Sequence, residues 1–278
     1  MTILERSLHY LIMERSFQKK VQVSGSWVTV EVYGDPDEPA VVMIPGAMSD
    51  AAAWAGVARR LEGWRTVAIV NRRGRQPSGP LTDRYGLASE VEDAAAVLRG
   101  FTDVHTLFGW SYGGLIALHL ADTLPVPHLI AYEPVMAPFG ASALPDLKQA
   151  QEDADLDAGV TVALQQVTGM NDETVRALRA EEATWSELRR LSAPVYDETL
   201  AVNQAPQPAK LAMRAVRVDL VVGEHNRARS PYGSSFDDVA RHVPGATVHE
   251  LSAQGHLAHL EAPDHLAELI NRLRVFAA

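Results

Sequence analysis

The stretch Val104–Ile116, which reads VHTLFGWSYGGLI, decides the fold. Its first half is a short apolar run, typical of a strand that is buried on both faces of a parallel sheet. Its second half opens a helix directly after Ser111. Gly109 and Gly113 flank the serine in the spacing Gly-x-Ser-x-Gly. A serine in a tight strand-to-helix turn needs small residues at these positions, because larger side chains would crowd the neighbouring backbone.

Strand and helix signals alternate along the chain on both sides of this stretch. A hairpin pattern precedes them over 21–34, and a helix pattern closes the chain over 263–277. Units of this size predict an α/β fold with a mostly parallel, twisted sheet and helices on both faces. Together with that stretch, the apolar strand patterns occupy 39–47, 65–71, 104–111, 127–134, 216–225 and 246–253.

The organisation into segments follows from where the strand signals stop. Between 137 and 209 the sequence is polar, helix-rich and punctuated by proline, which predicts a small helical cap inserted between strands. Such an insertion lies at the carboxyl ends of parallel strands, where ligands bind. We therefore predict a core formed by 21–136 and 210–278, with 1–20 as an amino-terminal extension.

Composition excludes several classes of function. The 278 residues are 47% hydrophobic and 22% charged, with a formal net charge of −10 and no cysteine. The negative charge argues against nucleic-acid binding, and no apolar run is long enough to span a membrane. The lack of cysteine excludes disulfides and thiolate sites. We expect a cytoplasmic enzyme acting on a small molecule, and the sequence leaves homo-oligomerisation open.

The serine turn in its strand–helix context resembles the nucleophile turn of the α/β-hydrolase fold family, and the resemblance extends from Gln22 onward. It implies that Ser111 is a nucleophile and that the backbone amide of Tyr112 is one oxyanion-hole donor. The second donor would be Ala47, in the loop Ile44-Pro45-Gly46-Ala47-Met48. Relatives that open epoxides or carbon–halogen bonds carry aspartate at this turn, so Ser111 argues against their mechanism.

The resemblance also implies a histidine base near the carboxyl terminus. Gly255-His256 follows the last strand pattern and precedes Glu261-Ala262-Pro263, as in the family's catalytic-histidine loop. A neutral imidazole at His256 would accept the serine proton and then protonate the leaving group. His259 is the nearest rival, and packing is the more ordinary role for it.

The triad acid is the point at which this chain departs from the family. The position that usually holds aspartate after the seventh strand is Asn226, which cannot stabilise an imidazolium by charge. Glu133 ends the preceding strand of the core, where haloalkane dehalogenases and zearalenone-type lactonases place their acid. Glu224 lies closer to the usual position. We favour Glu133, and Glu224 and Asn226 remain alternatives.

These residues predict a serine hydrolase that cleaves a carboxylic ester or lactone through a Ser111–His256–Glu133 triad. The alternatives are a carbon–carbon bond hydrolase or lyase on the same fold, or a degenerate ligand-binding homologue. No phosphate-binding glycine loop, flavin motif or metal-ligand set is present, so we predict neither cofactor nor metal ion. Apolar side chains suggest an apolar substrate pocket, with these predicted contacts: Met48, Trp110, Met136, Phe139, Met170 and Trp185.

Overall fold

The computed structural model describes residues 16–274. Its eight strands form a single sheet in the order β1-β2-β4-β3-β5-β6-β7-β8. The pairs β1–β2 and β2–β4 are antiparallel, and every other neighbouring pair is parallel. The strands are β1 Ser16–Val23, β2 Ser26–Gly34, β3 Ala40–Ile44, β4 Thr66–Asn71, β5 Val104–Trp110, β6 Val126–Tyr132, β7 Ala215–Gly223 and β8 Thr247–Leu251.

Eleven α-helices lie among the described residues, and short 3-10 or π segments occur at Ala141–Ala143, Ala163–Val167 and Glu224–Asn226. The helices are α1 Ala51–Ala58, α2 Leu87–Leu98, α3 Tyr112–Thr123, α4 Leu144–Glu152, α5 Leu156–Val162, α6 Asp172–Ala180, α7 Glu182–Ser192, α8 Val195–Gln204, α9 Tyr232–His242, α10 Ala258–Glu261 and α11 Pro263–Leu273. The predicted α/β fold class, with a mostly parallel sheet and helices, is confirmed.

The sheet has a hydrophobic core on each face because the strands alternate their side chains between the two. Val42 packs in one core with residues of α2, α3 and α9, whereas its neighbours Val41 and Met43 pack in the other with α1 and α11. All residues of β3 and β4 are buried. This burial on both faces is the physical reason for their continuous apolar sequences.

The carboxyl ends of the central strands bring the site residues to one edge of the sheet. Ile44, Trp110 and Tyr132 end three neighbouring parallel strands, β3, β5 and β6, and β7 runs beside β6. Helices α4 to α8 lie in sequence between β6 and β7, within the range 137–209 for which we predicted inserted helices. Within residues 16–274, no helix is both long and apolar enough to cross a membrane.

The first strand begins earlier in the sequence than the hairpin pattern suggested. Residues 16–20 belong to β1, which pairs with β2 from Ser16 opposite Tyr33 to Val23 opposite Ser26. The strand is mostly exposed and lacks the apolar alternation that marks a half-buried strand, so no local pattern indicates its start. The rest of the predicted extension, 1–15, lies outside the described residues.

Candidate active site

Ser111 occupies a strained turn between the end of β5 and the start of α3. Its backbone has φ 56° and ψ −123°, a region that non-glycine residues seldom adopt. Its amide donates to the Tyr132 carbonyl oxygen at 3.0 Å. Its side chain makes no capping hydrogen bond to α3, so the serine does not serve as an ordinary helix cap. The turn thus keeps the hydroxyl free of the helix that follows it.

The glycines around Ser111 are required by close backbone contacts. A Cβ atom at Gly109 would lie 2.4 Å from the Gly113 carbonyl oxygen. A Cβ atom at Gly113 would lie 2.0 Å from the carbonyl oxygen of Ile44, the last residue of β3. These distances are far below van der Waals contact. The Gly-x-Ser-x-Gly spacing is therefore a steric condition for packing α3 against β5 and β3.

The loop after β3 lies directly against Ser111. A Cβ atom at Gly46 would be 2.7 Å from the Ser111 Cβ and 2.9 Å from the Trp110 carbonyl oxygen. The backbone amides of Ala47 and Tyr112 donate to no acceptor among the residues that the structure describes. Two unused amide donors next to a serine are what an oxyanion requires, and Tyr112 also begins a helix.

Glu133 forms a direct hydrogen bond with His256. The Oε2 atom of the fully buried glutamate lies 2.6 Å from His256 Nδ1. Because the carboxylate accepts, Nδ1 carries the proton and Nε2 is left as the basic nitrogen. Glu133 itself has φ 42°, and its amide donates to the Val221 carbonyl oxygen at 2.8 Å. Gly223 N donates to its Oε1 atom at 2.8 Å, which fixes the carboxylate further.

The two alternative acids have different positions. Asn226 donates its side-chain amide to both oxygens of Glu133, at 3.0 and 2.9 Å, and so supports the glutamate. Glu224 is exposed, and its carboxylate accepts from the Ala253 backbone amide at 2.6 Å. Of the three residues considered as acid, Glu133 is the one whose carboxylate contacts the His256 ring.

The ring of His256 lies between two aromatic side chains. Tyr232, at the start of α9, stacks on it with a centroid separation of 3.6 Å and an interplanar angle of 17°. Trp110 lies 4.6 Å from it, and the Trp110 indole N–H donates to the His256 carbonyl oxygen at 2.9 Å. Trp110 directly precedes Ser111 and thus joins the histidine loop to the serine turn.

No hydrogen bond joins the Ser111 hydroxyl to His256 within residues 16–274. Serine–histidine contacts in ligand-free sites are often longer than hydrogen-bond distance and tighten when substrate binds. Ser111 is 7% exposed and His256 is 8% exposed, so both are nearly enclosed by protein. In such a low-dielectric setting, charge–dipole interactions are stronger than in water.

Burial shapes the protonation of the groups around His256. Burial, with a smaller contribution from the neighbouring His256, lowers the pKa of His259 to about 3, so His259 is neutral at physiological pH. Its ring stacks on Trp54 with a centroid separation of 4.4 Å. Burial, and secondarily the charge of Glu133, raises the pKa of the Tyr232 phenol well above its usual range. Tyr232 therefore stays protonated.

The residues predicted to contact substrate differ in how exposed they are. Met48 and Phe139 are partly exposed, and Met48 packs against the helices inserted between β6 and β7. Met136 is 5% exposed and packs in the main core. Trp110 is 4% exposed, and its indole N–H donates to the backbone of His256.

Trp185 and Met170 lie in the core of the inserted helices. Trp185 is 2% exposed, and its indole N–H donates to Asp157 at 2.6 Å. Met170 is partly buried against the same cluster. Of the predicted contacts, Met48 and Phe139 are therefore the two whose exposure best suits contact with a substrate.

The sequence predicted no catalytic role for three residues around the site. Tyr232 stacks on His256 from α9, and no motif marks it. Arg72 donates to the carbonyl oxygens of the loop after β3, and Glu198 of α8 accepts from Arg72. Arg72 and the nearby Arg75 stand out in the sequence as a cluster of arginines after β4, although the partner on α8 lies 126 residues away.

The chain belongs to the alpha/beta hydrolase family, whose family model matches residues 41–269. Among curated proteins, it is 30% identical over 121 residues to an uncharacterized hydrolase, YraK, of Bacillus subtilis (strain 168). That match covers 42% of this chain and 44% of YraK, so the chain matches less than half of the length of this relative.

Solved structures share the fold over nearly the whole chain. An alpha/beta hydrolase from Sphaerobacter thermophilus DSM 20745 is 25% identical with a TM-score of 0.74, covering 91% of this chain and 99% of that one. The enol-lactonase from Burkholderia xenovorans LB400 is 16% identical with a TM-score of 0.67, covering 91% and 98%. The carboxylesterase CesB from Bacillus subtilis is 17% identical with a TM-score of 0.66, covering 96% and 94%.

Proposed function

We propose that the protein is a serine hydrolase that cleaves a carboxylic ester or lactone of a fairly apolar small molecule. The observation that carries the proposal is the hydrogen bond between Glu133 and His256, in a loop that Trp110 connects to the strained turn of Ser111. Family members that act on epoxides use an aspartate at this turn, whereas this chain has Ser111. A hydroxyl, an imidazole and a carboxylate are the three groups that acyl transfer requires.

The proposed reaction has two steps. Ser111 Oγ attacks the carbonyl carbon while Nε2 of His256 takes the serine proton, and the amides of Ala47 and Tyr112 stabilise the oxyanion. The alcohol leaves with the proton from His256, and the acyl group stays on Ser111. Water then attacks the acyl-enzyme with His256 as base, releasing the acid. Glu133 orients the ring and stabilises its positive charge in both steps.

The side chains around this centre favour an apolar substrate. Met48 adjoins the Ala47 amide and packs against apolar residues of the inserted helices. Phe139 lies 5.5 Å from the Tyr232 ring, which itself stacks on His256. Apolar walls with a few convergent polar groups are typical of small-molecule sites. With a lactone, acid and alcohol would remain in one product molecule, a hydroxy acid.

A labelling experiment tests whether the site is reactive. A fluorophosphonate probe should modify the purified protein at one residue, Ser111, and the Ser111→Ala and His256→Ala variants should not react. Peptide mass spectrometry identifies the modified residue. Absence of labelling in the folded wild-type protein would contradict the proposal and favour a ligand-binding homologue of the hydrolases.

A substrate panel then tests the bond that is cleaved. Nitrophenyl esters of short and long acids, simple lactones and macrolactones should include substrates whose turnover is lost in Ser111→Ala. Hydrolysis of the longer, more apolar members should be the more efficient. A protein that labels at Ser111, cleaves a carbon–carbon bond of a diketone and cleaves no ester would replace ester hydrolysis with the alternative reaction.

A further inference from the structure

Arg72 holds the loop that carries the Ala47 amide. The side chain is 2% exposed, and its Nε donates to the Pro45 carbonyl oxygen at 2.9 Å. One terminal nitrogen donates to the Gly46 carbonyl oxygen at 2.8 Å. A rigid, planar guanidinium that bonds two successive carbonyls fixes the orientation of both peptide groups.

The direction of the Ala47 amide follows from this contact. The Gly46 carbonyl and the Ala47 N–H belong to the same peptide group, and in a trans peptide they point in opposite directions. Gly46 itself packs against Ser111, as the 2.7 Å distance from its hypothetical Cβ to the Ser111 Cβ shows. Binding of the Gly46 oxygen by Arg72 therefore turns the Ala47 N–H away from the arginine.

Arg72 also contacts the residue that supplies the second donor. The carbon at the centre of its guanidinium lies 4.9 Å from the centroid of the Tyr112 ring. Tyr112 is 1% exposed, so its side chain and the guanidinium are enclosed together. A cation over an aromatic face in a dry interior is an attractive contact. One side chain thus touches both segments that present the free amides.

Two carboxylates also bind the Arg72 guanidinium, and one of them, Glu198, accepts from the same terminal nitrogen that donates to the Gly46 carbonyl oxygen. Glu90 of α2 accepts from the guanidinium at 2.8 Å, and Glu198 of α8 accepts from it at 2.5 Å. Arg75 also donates to Glu198, at 2.6 Å. Burial disfavours the charged guanidinium, but attraction to Glu198 and Glu90 outweighs that effect and raises the pKa of Arg72 above its usual range.

We propose that Arg72 is the positioning residue of the oxyanion hole and that Glu198 makes this positioning depend on the inserted helices. The inference rests on the proposed function, because it assigns a role within the same reaction. Glu198 is fully buried on α8, one of the helices between β6 and β7. The ion pair between Arg72 and Glu198 therefore links the position of these helices to the Ala47 amide, which stabilises the oxyanion of the transition state.

Two variants separate this role from a general effect of burial. Arg72→Lys keeps the charge but lacks the planar donors, and Glu198→Gln keeps the size of the side chain but removes its charge. The adjacent Arg73 provides the matched control, because it is 1% exposed and forms two hydrogen bonds of 2.6 Å with Asp93. Among the described residues, it forms no hydrogen bond with the loop after β3. Arg73→Lys and Asp93→Asn are the control variants.

The test compares transition-state binding with substrate binding. Phenylboronic acid forms a tetrahedral adduct with an active-site serine, in which a boron-bound oxygen uses the oxyanion hole. Arg72→Lys should lower kcat and boronate affinity by about 10²-fold, and Glu198→Gln by about 10-fold, whereas KM should change by less than about threefold. The control variants should retain kcat and boronate affinity even where their unfolding midpoint falls.

Three results would contradict the roles given to Arg72 and Glu198 or the function itself. Equal losses of kcat in Arg72→Lys and Arg73→Lys would show a general effect of damaging a buried ion pair and would overturn the inference. Unchanged boronate affinity in a folded Glu198→Gln would overturn the role given to the inserted helices. If Arg72→Lys does not fold, Glu198→Gln and its Asp93→Asn control still decide. Wild-type protein that neither labels nor hydrolyses would instead reject the proposed function itself.

Discussion

The Nδ1 atom of His256 lies 2.6 Å from Oε2 of Glu133, so the imidazole receives its carboxylate from the end of β6. Asn226, which follows β7, donates to both oxygens of that carboxylate. The asparagine is therefore a support for the acid. A site with asparagine at the position usual for aspartate still has a buried, fully hydrogen-bonded carboxylate on its histidine.

Replacing Glu133 with glutamine should nearly abolish turnover. Glu133→Gln preserves the volume but removes the negative charge that favours the correct tautomer and the imidazolium. We expect kcat for an ester substrate to fall by about 10³-fold or more, as for other triads that lose their acid. Glu224→Gln is the matched control and should stay near wild type, because Glu224 is exposed and bonds the Ala253 amide. An active Glu133→Gln together with an inactive Glu224→Gln would show that Glu224 is the triad acid.

Changing Asn226 to aspartate should not improve the site. Asn226→Asp would place a second carboxylate within hydrogen-bond distance of Glu133 and would remove the amide that stabilises it. We expect kcat to fall and the protein to lose about 2 kcal/mol of stability at neutral pH.

The stability lost in Asn226→Asp should depend on pH. At low pH the two carboxyl groups of Asn226→Asp can share a proton, so the deficit relative to wild type should grow as pH rises from about 4, the ordinary aspartate value. Denaturant unfolding of both proteins at several pH values measures it. A variant more stable than wild type at pH 8 would mean that Asn226 does not serve as a donor to Glu133.

Local sequence was sufficient for the serine turn and its glycines. The contacts that require Gly109 and Gly113 are made within a few residues of Ser111 or with the end of the neighbouring strand β3. Likewise, continuous burial of β3 and β4 leaves a sequence pattern that identifies a parallel sheet. The fold class and the family could therefore be predicted from residues near one another in the chain.

The acid could be favoured from the sequence but not settled by it, because its position depends on strand register. Tyr132 of β6 pairs with Val221 of β7, and this register places Glu133 where its carboxylate accepts from the Gly223 amide. The stacking of Tyr232 on His256 and the ion pair of Arg72 with Glu198 depend on how distant helices pack. No local pattern encodes such contacts.

Adding a methyl group to Gly46 should damage catalysis strongly. The Cβ of Gly46→Ala would meet the Ser111 Cβ at 2.7 Å and the Trp110 carbonyl oxygen at 2.9 Å, so the loop must move away. Because the loop carries the Ala47 amide, we expect kcat/KM to fall by about 10²-fold or more. Steady-state kinetics and the rate of fluorophosphonate labelling measure the effect.

Gly159 of α5 supplies the control for this substitution. A Cβ atom there would have no neighbour within 4 Å, and the residue lies inside a helix. Gly159→Ala should keep the wild-type kcat/KM and gain about 0.5–1 kcal/mol of stability from the higher helix propensity of alanine. Wild-type kinetics in Gly46→Ala would show that the loop after β3 does not contribute to the oxyanion hole.

Removing the aromatic ring at Tyr232 should reduce turnover through loss of the stack on His256. The rings are nearly parallel at 3.6 Å, and an aromatic pair contributes about 0.5–1.5 kcal/mol. Tyr232→Leu should therefore lower kcat by about 3–10-fold. Tyr232→Phe keeps the ring and should stay near wild type. A large loss in Tyr232→Phe would instead indicate that the phenol hydroxyl contacts substrate.

His259 should make the protein less stable in acid. Burial, with a smaller contribution from His256, lowers its pKa to about 3 in the folded state, whereas an unfolded histidine titrates near 6.5. Between these values the unfolded chain binds a proton that the folded chain excludes. The free energy of unfolding therefore falls by about 1.4 kcal/mol for each unit that pH drops below about 6.5, from this residue alone.

His259→Phe isolates this contribution, because a phenyl ring can keep the stack on Trp54 and also removes a buried ring nitrogen, Nδ1, that has no hydrogen-bond partner. Denaturant unfolding at pH 5, 6, 7 and 8 measures the free energy of unfolding of both proteins. Plotted against pH, the values for wild type and variant should run parallel above about pH 7. Below that, wild type should lose stability relative to the variant. Curves that remain parallel down to pH 5 would show that His259 accepts a proton in the folded protein, which its packing between Trp54 and Trp110 opposes.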